Sequence, residues 1–132
     1  MNQLSNEIKS ELEMRYIILF LDKVVSFDYH LAQVCVMLGK LEYLAYAYKN
    51  DCKWDYWVCA SAATTGQLGC LQYLHENGCY WDFFTCKYAS KKGYVECLRY
   101  ALINGCRYDK SICIEVAKDR EVVAALFAEL GL

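Results

Sequence analysis

The apolar positions of this chain keep a helical spacing that is broken at short, regular intervals. Between residues 83 and 91, Cys86, Ala89 and Ser90 lie three and one apart on one stripe, which predicts a short helix with an inner face of small residues. Asp82 precedes it as an N-cap, because its carboxylate can accept from the otherwise unpaired amides of the first turn. Gly93 follows, where a left-handed residue ends a helix without a Cβ penalty. From 94 to 103, Val95, Leu98 and Ala101 with Cys97 and Tyr100 predict a second helix with a wide apolar face. Glu96 and Arg99 lie outside that face, three apart and close enough to pair weakly. Asn104 and Gly105 end this helix. Cys106-Arg107-Tyr108 reads as an extended connector, with Tyr108 turned inward and Asp109 capping the next helix.

The same pattern recurs every 27 residues. Segments 56–82 and 83–109 share ten identical positions, among them Cys59/Cys86, Gly66/Gly93, Leu71/Leu98, Tyr73/Tyr100, Asn77/Asn104 and Cys79/Cys106. Segment 29–55 keeps Gly39, Leu41, Leu44, Tyr46, Asn50 and Cys52 in phase, and 110–132 keeps Cys113, Ala117, Val122 and Phe127. An aromatic–Asp pair marks each boundary: Phe27-Asp28, Trp54-Asp55, Trp81-Asp82 and Tyr108-Asp109. Neither helix of a unit exceeds about ten residues, below the length at which isolated helices persist in water. Each unit must therefore be held by its neighbours. The expected fold is all-α, a solenoid of stacked helix-turn-helix units over 29–55, 56–82, 83–109 and 110–132.

Both ends depart from the pattern. Residues 1–28 are expected to form an N-terminal capping helix and half repeat, with Tyr16, Ile17 and Leu19 in phase with Tyr43, Leu44 and Tyr46. At the other end Arg120 replaces the glycine of the turn, so a different turn is expected there. The last helix, over 121–130, is apolar on several sides, which suggests that this end packs on something, a second copy of the chain being one candidate.

Residues Thr85 to Cys106 resemble the core of an ankyrin repeat. That family has Thr-Pro-Leu-His-x-Ala-Ala, a turn glycine before His-Leu-Glu, an aliphatic helix and Gly-Ala. Thr85, Ala89, Gly93, Glu96 and Gly105 fall on its Thr, first Ala, turn Gly, Glu and second Gly. The resemblance covers about 29–132. The family's unit is 33 residues, and the residues missing here fall where its β-hairpin finger protrudes. The motif's Pro and His are also absent. A unit of this kind looks like the short, Cys- and Trp-rich ankyrin-like repeats of large DNA viruses. The resemblance implies an all-α repeat stack with the finger shortened or missing, and a role in protein–protein recognition.

Composition narrows the function. Net charge is −2, pI is near 5.7, and the lysines and arginines are scattered; a nucleic-acid backbone as main partner calls for a basic face. The run Tyr16 to Leu21 is shorter than the roughly 20 apolar residues needed to span a bilayer, and it lacks signal-peptide features. No nucleic acid and no membrane are expected as partners. The expected location is intracellular, in the cytoplasm, and in that of the host cell for a viral protein. Eight of the nine cysteines sit on unit phases. Stacked helices lie about 8–10 Å apart, whereas a disulfide needs Cα atoms within about 7 Å. The cysteines therefore read as reduced thiols used as small buried hydrophobes. Zinc prefers ligand pairs such as Cys-x2-Cys, and six intervening residues is the closest spacing here. No metal and no cofactor are expected.

Two histidines at different phases, no recurring carboxylate pair and no Gly-rich phosphate loop argue against an enzyme. The first reading is a non-enzymatic interaction module with a protein partner. The alternative is a cysteine-based redox or metal-binding protein. Stacking turns one phase into a row, and the best row is the start of each first helix: Tyr29, Tyr56, Phe83 and Lys110, beside His30, Trp57, Phe84 and Ser111. Exposed aromatic clusters mark partner sites. The competing expectation is that the short connector folds these rings onto the next unit. For the Tyr46, Tyr73, Tyr100, Phe127 column, and for Trp54 and Trp81, packing is the expected role.

Overall fold

A computed structural model describes residues 29–132, together with Leu12, Glu13, Arg15 and Tyr16, which are helical. Apart from those four positions, the cap expected over 1–28 lies outside the described residues. So do the side chains of Tyr29 and His30. Residues 29–132 form α1 (Tyr29–Met37), α2 (Leu41–Lys49), α3 (Tyr56–Thr64), α4 (Leu68–Glu76), α5 (Phe83–Lys92), α6 (Val95–Ile103), α7 (Lys110–Val116) and α8 (Arg120–Glu129). The chain is all-α, with no strand among the described residues. The odd-numbered helices begin 27 residues apart, at Tyr29, Tyr56, Phe83 and Lys110.

Local chemistry sets these limits. Asp55 and Asp82 accept from the backbone N–H of Trp57 and Phe84, each at 3.0 Å. Asp109 does the same for Ile112 at 3.0 Å. Gly93 ends α5 at φ +80°, the left-handed conformation that glycine takes without steric cost. The even-numbered helices end differently. Asn50, Asn77 and Asn104 each donate a side-chain N–H to the carbonyl of Tyr46, Tyr73 and Tyr100, all at 2.8 Å. The residue after each asparagine has positive φ. It is Gly78 or Gly105 in two units and Asp51, at φ +65°, in the first; Asp is among the few other residues that visit this region.

Each helix packs on the other helix of its pair and on its counterpart in the adjoining pair, so α1, α3, α5 and α7 form one row and α2, α4, α6 and α8 another. The core lies between the rows. Cys59, Ala62, Ala63, Cys86 and Ala89 supply it from α3 and α5, and Leu44, Leu71, Leu74 and Leu98 from the other row. Cys86, Ala89 and Ser90 are buried, as the stripe predicts.

Aromatic joints connect successive pairs. Tyr48 of α2 stacks on Trp54 with ring centroids 4.2 Å apart, and both meet the edge or face of Tyr73 of α4 at 6.2 and 6.4 Å. One unit later His75 stacks on Trp81 at 4.0 Å, and the two meet Tyr100 at 5.9 and 6.0 Å. The third joint has Tyr108 against Phe127 at 5.5 Å. Trp54, Trp81, Tyr73, Tyr100 and Phe127 therefore pack within the stack, and Tyr46, outside these joints, packs half-buried on the core. Tyr108 departs from its expected inward orientation, being 39% exposed. Phe127 is fully buried, and Tyr108 covers it from outside.

Cysteines reinforce the connectors. The Cys79 thiol donates to the carbonyl of Asp55 at 3.4 Å, and Cys106 donates to Asp82 at 3.2 Å. Each bond ties one connector to the capping residue of the preceding unit. All nine cysteines are buried.

The last pair differs as expected. Arg120 is not in the turn: it opens α8, and Asp119 caps the helix by accepting from Glu121 and Val122. The turn is held instead by the Lys118 N–H, which donates to Ser90 O in the preceding pair at 3.0 Å. The large residues of α8 turn inward, with Val123, Leu126 and Phe127 buried. Its outward apolar positions are Val122, Ala125 and Ala128, a narrower surface than composition suggests. Arg99, expected to pair with Glu96, makes its shorter contact with Glu129 of α8 at 2.8 Å, against 3.7 Å to Glu96.

Thr85 occupies a phase held by Leu31, Val58 and Ile112 in the other units. It is fully buried, and its hydroxyl has no hydrogen-bond partner among the described residues. A buried hydroxyl left unsatisfied costs on the order of 1–3 kcal/mol. Thr85→Val keeps the shape and removes that group, so it is expected to raise stability by about 1 kcal/mol. The urea midpoint should rise with no change in slope.

Candidate functional site

The predicted row becomes a continuous strip of rings on α3 and α5. Tyr56 and Trp57, at the start of α3, have centroids 4.9 Å apart. Trp57 stacks on Phe84 of α5 at 5.3 Å, with planes inclined by 29°. Phe84 stacks on Phe83 at 4.3 Å and on Tyr88, one turn further along α5, at 6.0 Å. Two N-caps set this arrangement. Asp55 and Asp82 start their helices in the same phase, so the first two side chains of each helix leave on the same side.

The strip is partly packed and partly open. Tyr56 and Phe84 are half-buried, whereas Trp57 is 40% and Phe83 37% exposed. The rings meet across units, as the packing expectation holds, yet Trp57 and Phe83 keep a solvent face. Lys87 lies one turn after Phe84, with its ammonium 6.0 Å from that ring's centroid.

The sequence row extends further than the strip. Lys110 turns away from it: its ammonium donates to Leu132 O at 2.9 Å and sits 5.8 Å from the centroid of Phe127. Ser111 is exposed and is not a ring contact. The side chains of Tyr29 and His30 lie outside the described residues. Tyr88 was not in the row, although its place four residues after Phe84 puts both on one helix face.

Phe83 also borders a groove of about 550 Å³ lined by Cys106, Arg107, Tyr108, Asp109 and Ile112. It lies between the start of α5 and the connector into α7. Ring strip and groove therefore meet at Phe83.

The thiols have a different character. Burial pushes Cys35 up to about 12 and Cys97 up to about 11. Cys59 is raised by its hydrogen bond to Cys79 and then by burial, and Cys86 by its bond to Cys106 and then by burial. These thiols stay protonated at neutral pH, whereas nucleophilic and metal-binding cysteines act as thiolates. Among the described residues no group of three or more His, Cys, Asp or Glu side chains is placed to hold a metal ion. Of the two histidines, His75 is stacked within an aromatic joint. No helix among the described residues is long and apolar enough to cross a membrane.

Comparison of the chain with protein-family models, with curated proteins and with solved structures gave no match.

Proposed function

We propose that this chain is a non-enzymatic protein-interaction module, a solenoid of short ankyrin-like units that offers the Tyr56–Trp57–Phe83–Phe84 strip to a protein partner. The observation that carries this reading is the strip itself. Four rings from two units lie in one contiguous patch, with Trp57 and Phe83 more than a third exposed. Aromatic side chains supply much of the energy at protein interfaces. The 27-residue spacing of helix starts and the pairing of like helices in rows support the repeat reading. A redox or metal role has less support, because the thiols are buried and several are held protonated. Self-association through α8 would rely on Val122, Ala125 and Ala128, and we place the partner at the strip instead.

The test is the double variant Trp57→Ala/Phe84→Ala, used with the intact chain as bait in extracts of the native cell. Proteins retained by the parent chain should be lost by the variant, while its far-UV circular dichroism and urea midpoint stay close to the parent's. Loss of folding would assign the rings to packing alone. Retention of the same proteins by a folded variant would move the site elsewhere.

A further inference from the structure

The charge around the strip specifies what it accepts. On α5, Phe84, Lys87, Tyr88 and Lys91 fall at i, i+3, i+4 and i+7, so two ammonium groups share a face with the rings. Arg107 lines the groove that continues from Phe83. Three carboxylates also lie here: Asp55 and Asp82 precede the rings and Asp109 lines the groove, but each accepts a backbone N–H at a helix start, where the helix dipole offsets part of its charge. Glu42, Glu76, Glu96, Glu121 and Glu129 all belong to the even-numbered row. Among the odd-numbered helices, Glu115 of α7 is the described glutamate. The side-chain charges beside the exposed rings that are not held at a helix start are therefore cationic, Lys87, Lys91 and Arg107.

We propose that strip and groove form one docking surface for an acidic peptide segment of a protein partner, with a bulky apolar side chain entering the groove beside Phe83. This rests on the interaction-module reading and deepens it. The partner's carboxylates face Lys87, Lys91 and Arg107, and its apolar residues cover Trp57 and Phe84. The rings also favour a peptide over a single-stranded nucleic acid. Trp57, Phe83 and Tyr88 each stack on Phe84, so one face of each is already taken and the exposed faces of Trp57 and Phe83 are not lined up in series. Single-strand binders instead leave ring faces free for successive bases.

The probe is a phage-displayed library of random twelve-residue peptides, panned on the full chain. Selected peptides should be rich in Asp and Glu around at least one large apolar residue. A synthetic consensus peptide should bind Lys87→Glu/Lys91→Glu at least about 10-fold more weakly, since rim charges act through complementarity. A charge-reversed peptide carrying Lys for Glu should recover binding to that variant. Lys91 is exposed, whereas Lys87 is half-buried with its ammonium over Phe84, so Lys91→Glu alone is measured beside the double variant, with the urea midpoint of each checked, and Trp57→Ala should weaken the consensus peptide independently. Selection of neutral or basic peptides, or of none, overturns the acidic-partner proposal. So does binding indifferent to the charge reversal. If native partners are still captured through the strip in that case, the interaction-module reading stands alone; if capture too is unaffected by Trp57→Ala/Phe84→Ala, both fail. Tight, salt-sensitive binding of a twelve-residue oligothymidylate, lost in the same variants, overturns the proposal in favour of nucleic acid.

Discussion

Trp81→Ala is expected to destabilise the chain by about 3–5 kcal/mol, the range for removing a large buried aromatic. Trp81 is 9% exposed and stacks on His75 at 4.0 Å while meeting Tyr100 at 6.0 Å. It joins α4 to α6 from the connector that leads into α5. Its loss removes transfer energy, opens a cavity and leaves His75 and Tyr100 with only their edge contact to each other. Domains are stable by only about 5–15 kcal/mol, so the variant is expected to lose a large share of its stability and to unfold at a markedly lower urea concentration. Urea denaturation followed by circular dichroism measures this. Tyr80→Ala is the control, because Tyr80 is 62% exposed and surface substitutions usually stay within about 0.5 kcal/mol. Equal effects at the two positions would show that the joint contributes nothing beyond bulk.

Alkaline pH is expected to unfold the protein through its thiols. A thiol whose folded pKa lies above its unfolded value binds its proton more tightly in the folded state. Stability is then fully present below the unfolded value, near 9, and is lost as pH rises toward the folded value. Cys35 is raised to about 12 and Cys97 to about 11. At about 1.4 kcal/mol per unit of pKa, Cys35 alone accounts for a loss of about 4 kcal/mol between pH 9 and 12. Cys59 and Cys86 are raised through their thiol hydrogen bonds and burial, and Tyr73 and Tyr100 are raised by burial, all with the same sign. Denaturation free energies should be flat from pH 6 to 8 and then fall by at least about 3 kcal/mol by pH 10.5. A flat profile to pH 11 would mean that the thiols titrate alike in both states. The same burial is expected to make native thiols slow toward disulfide reagents, in keeping with a packing role.

Much of the fold was legible because its signals are local. Asp82, Gly93 and Asn104 act within one turn of their own positions, so α5 and α6 match the expected segments to within a residue. The 27-residue beat then carries that reading to the other pairs. What escaped depends on residues distant in the chain. Arg99 prefers Glu129, 30 positions away, over Glu96 three positions away, because α6 and α8 lie side by side. Tyr108 sits half outside because Phe127 takes the interior below it. At the candidate site, the adjacency of Trp57 and Phe84 follows from phase and was expected. The groove beside Phe83 was not, since it depends on the path of the backbone from Cys106 to Asp109. Lys110 shares that phase but is drawn to the end of α8, and no local pattern marks that choice.

Each aromatic joint takes rings from two consecutive units: Tyr48 and Trp54 from one with Tyr73 of the next, His75 and Trp81 with Tyr100. An in-frame duplication of 56–82 would therefore place Trp81 against a new copy of Tyr73, the partner type that Trp54 already has. The aromatic joint at the new seam is then of a kind already present, whereas in the ring strip Trp57 would meet a second Trp57 in place of Phe84. Such an insertion is expected to add one more Tyr56–Trp57 pair to the row of first-helix rings.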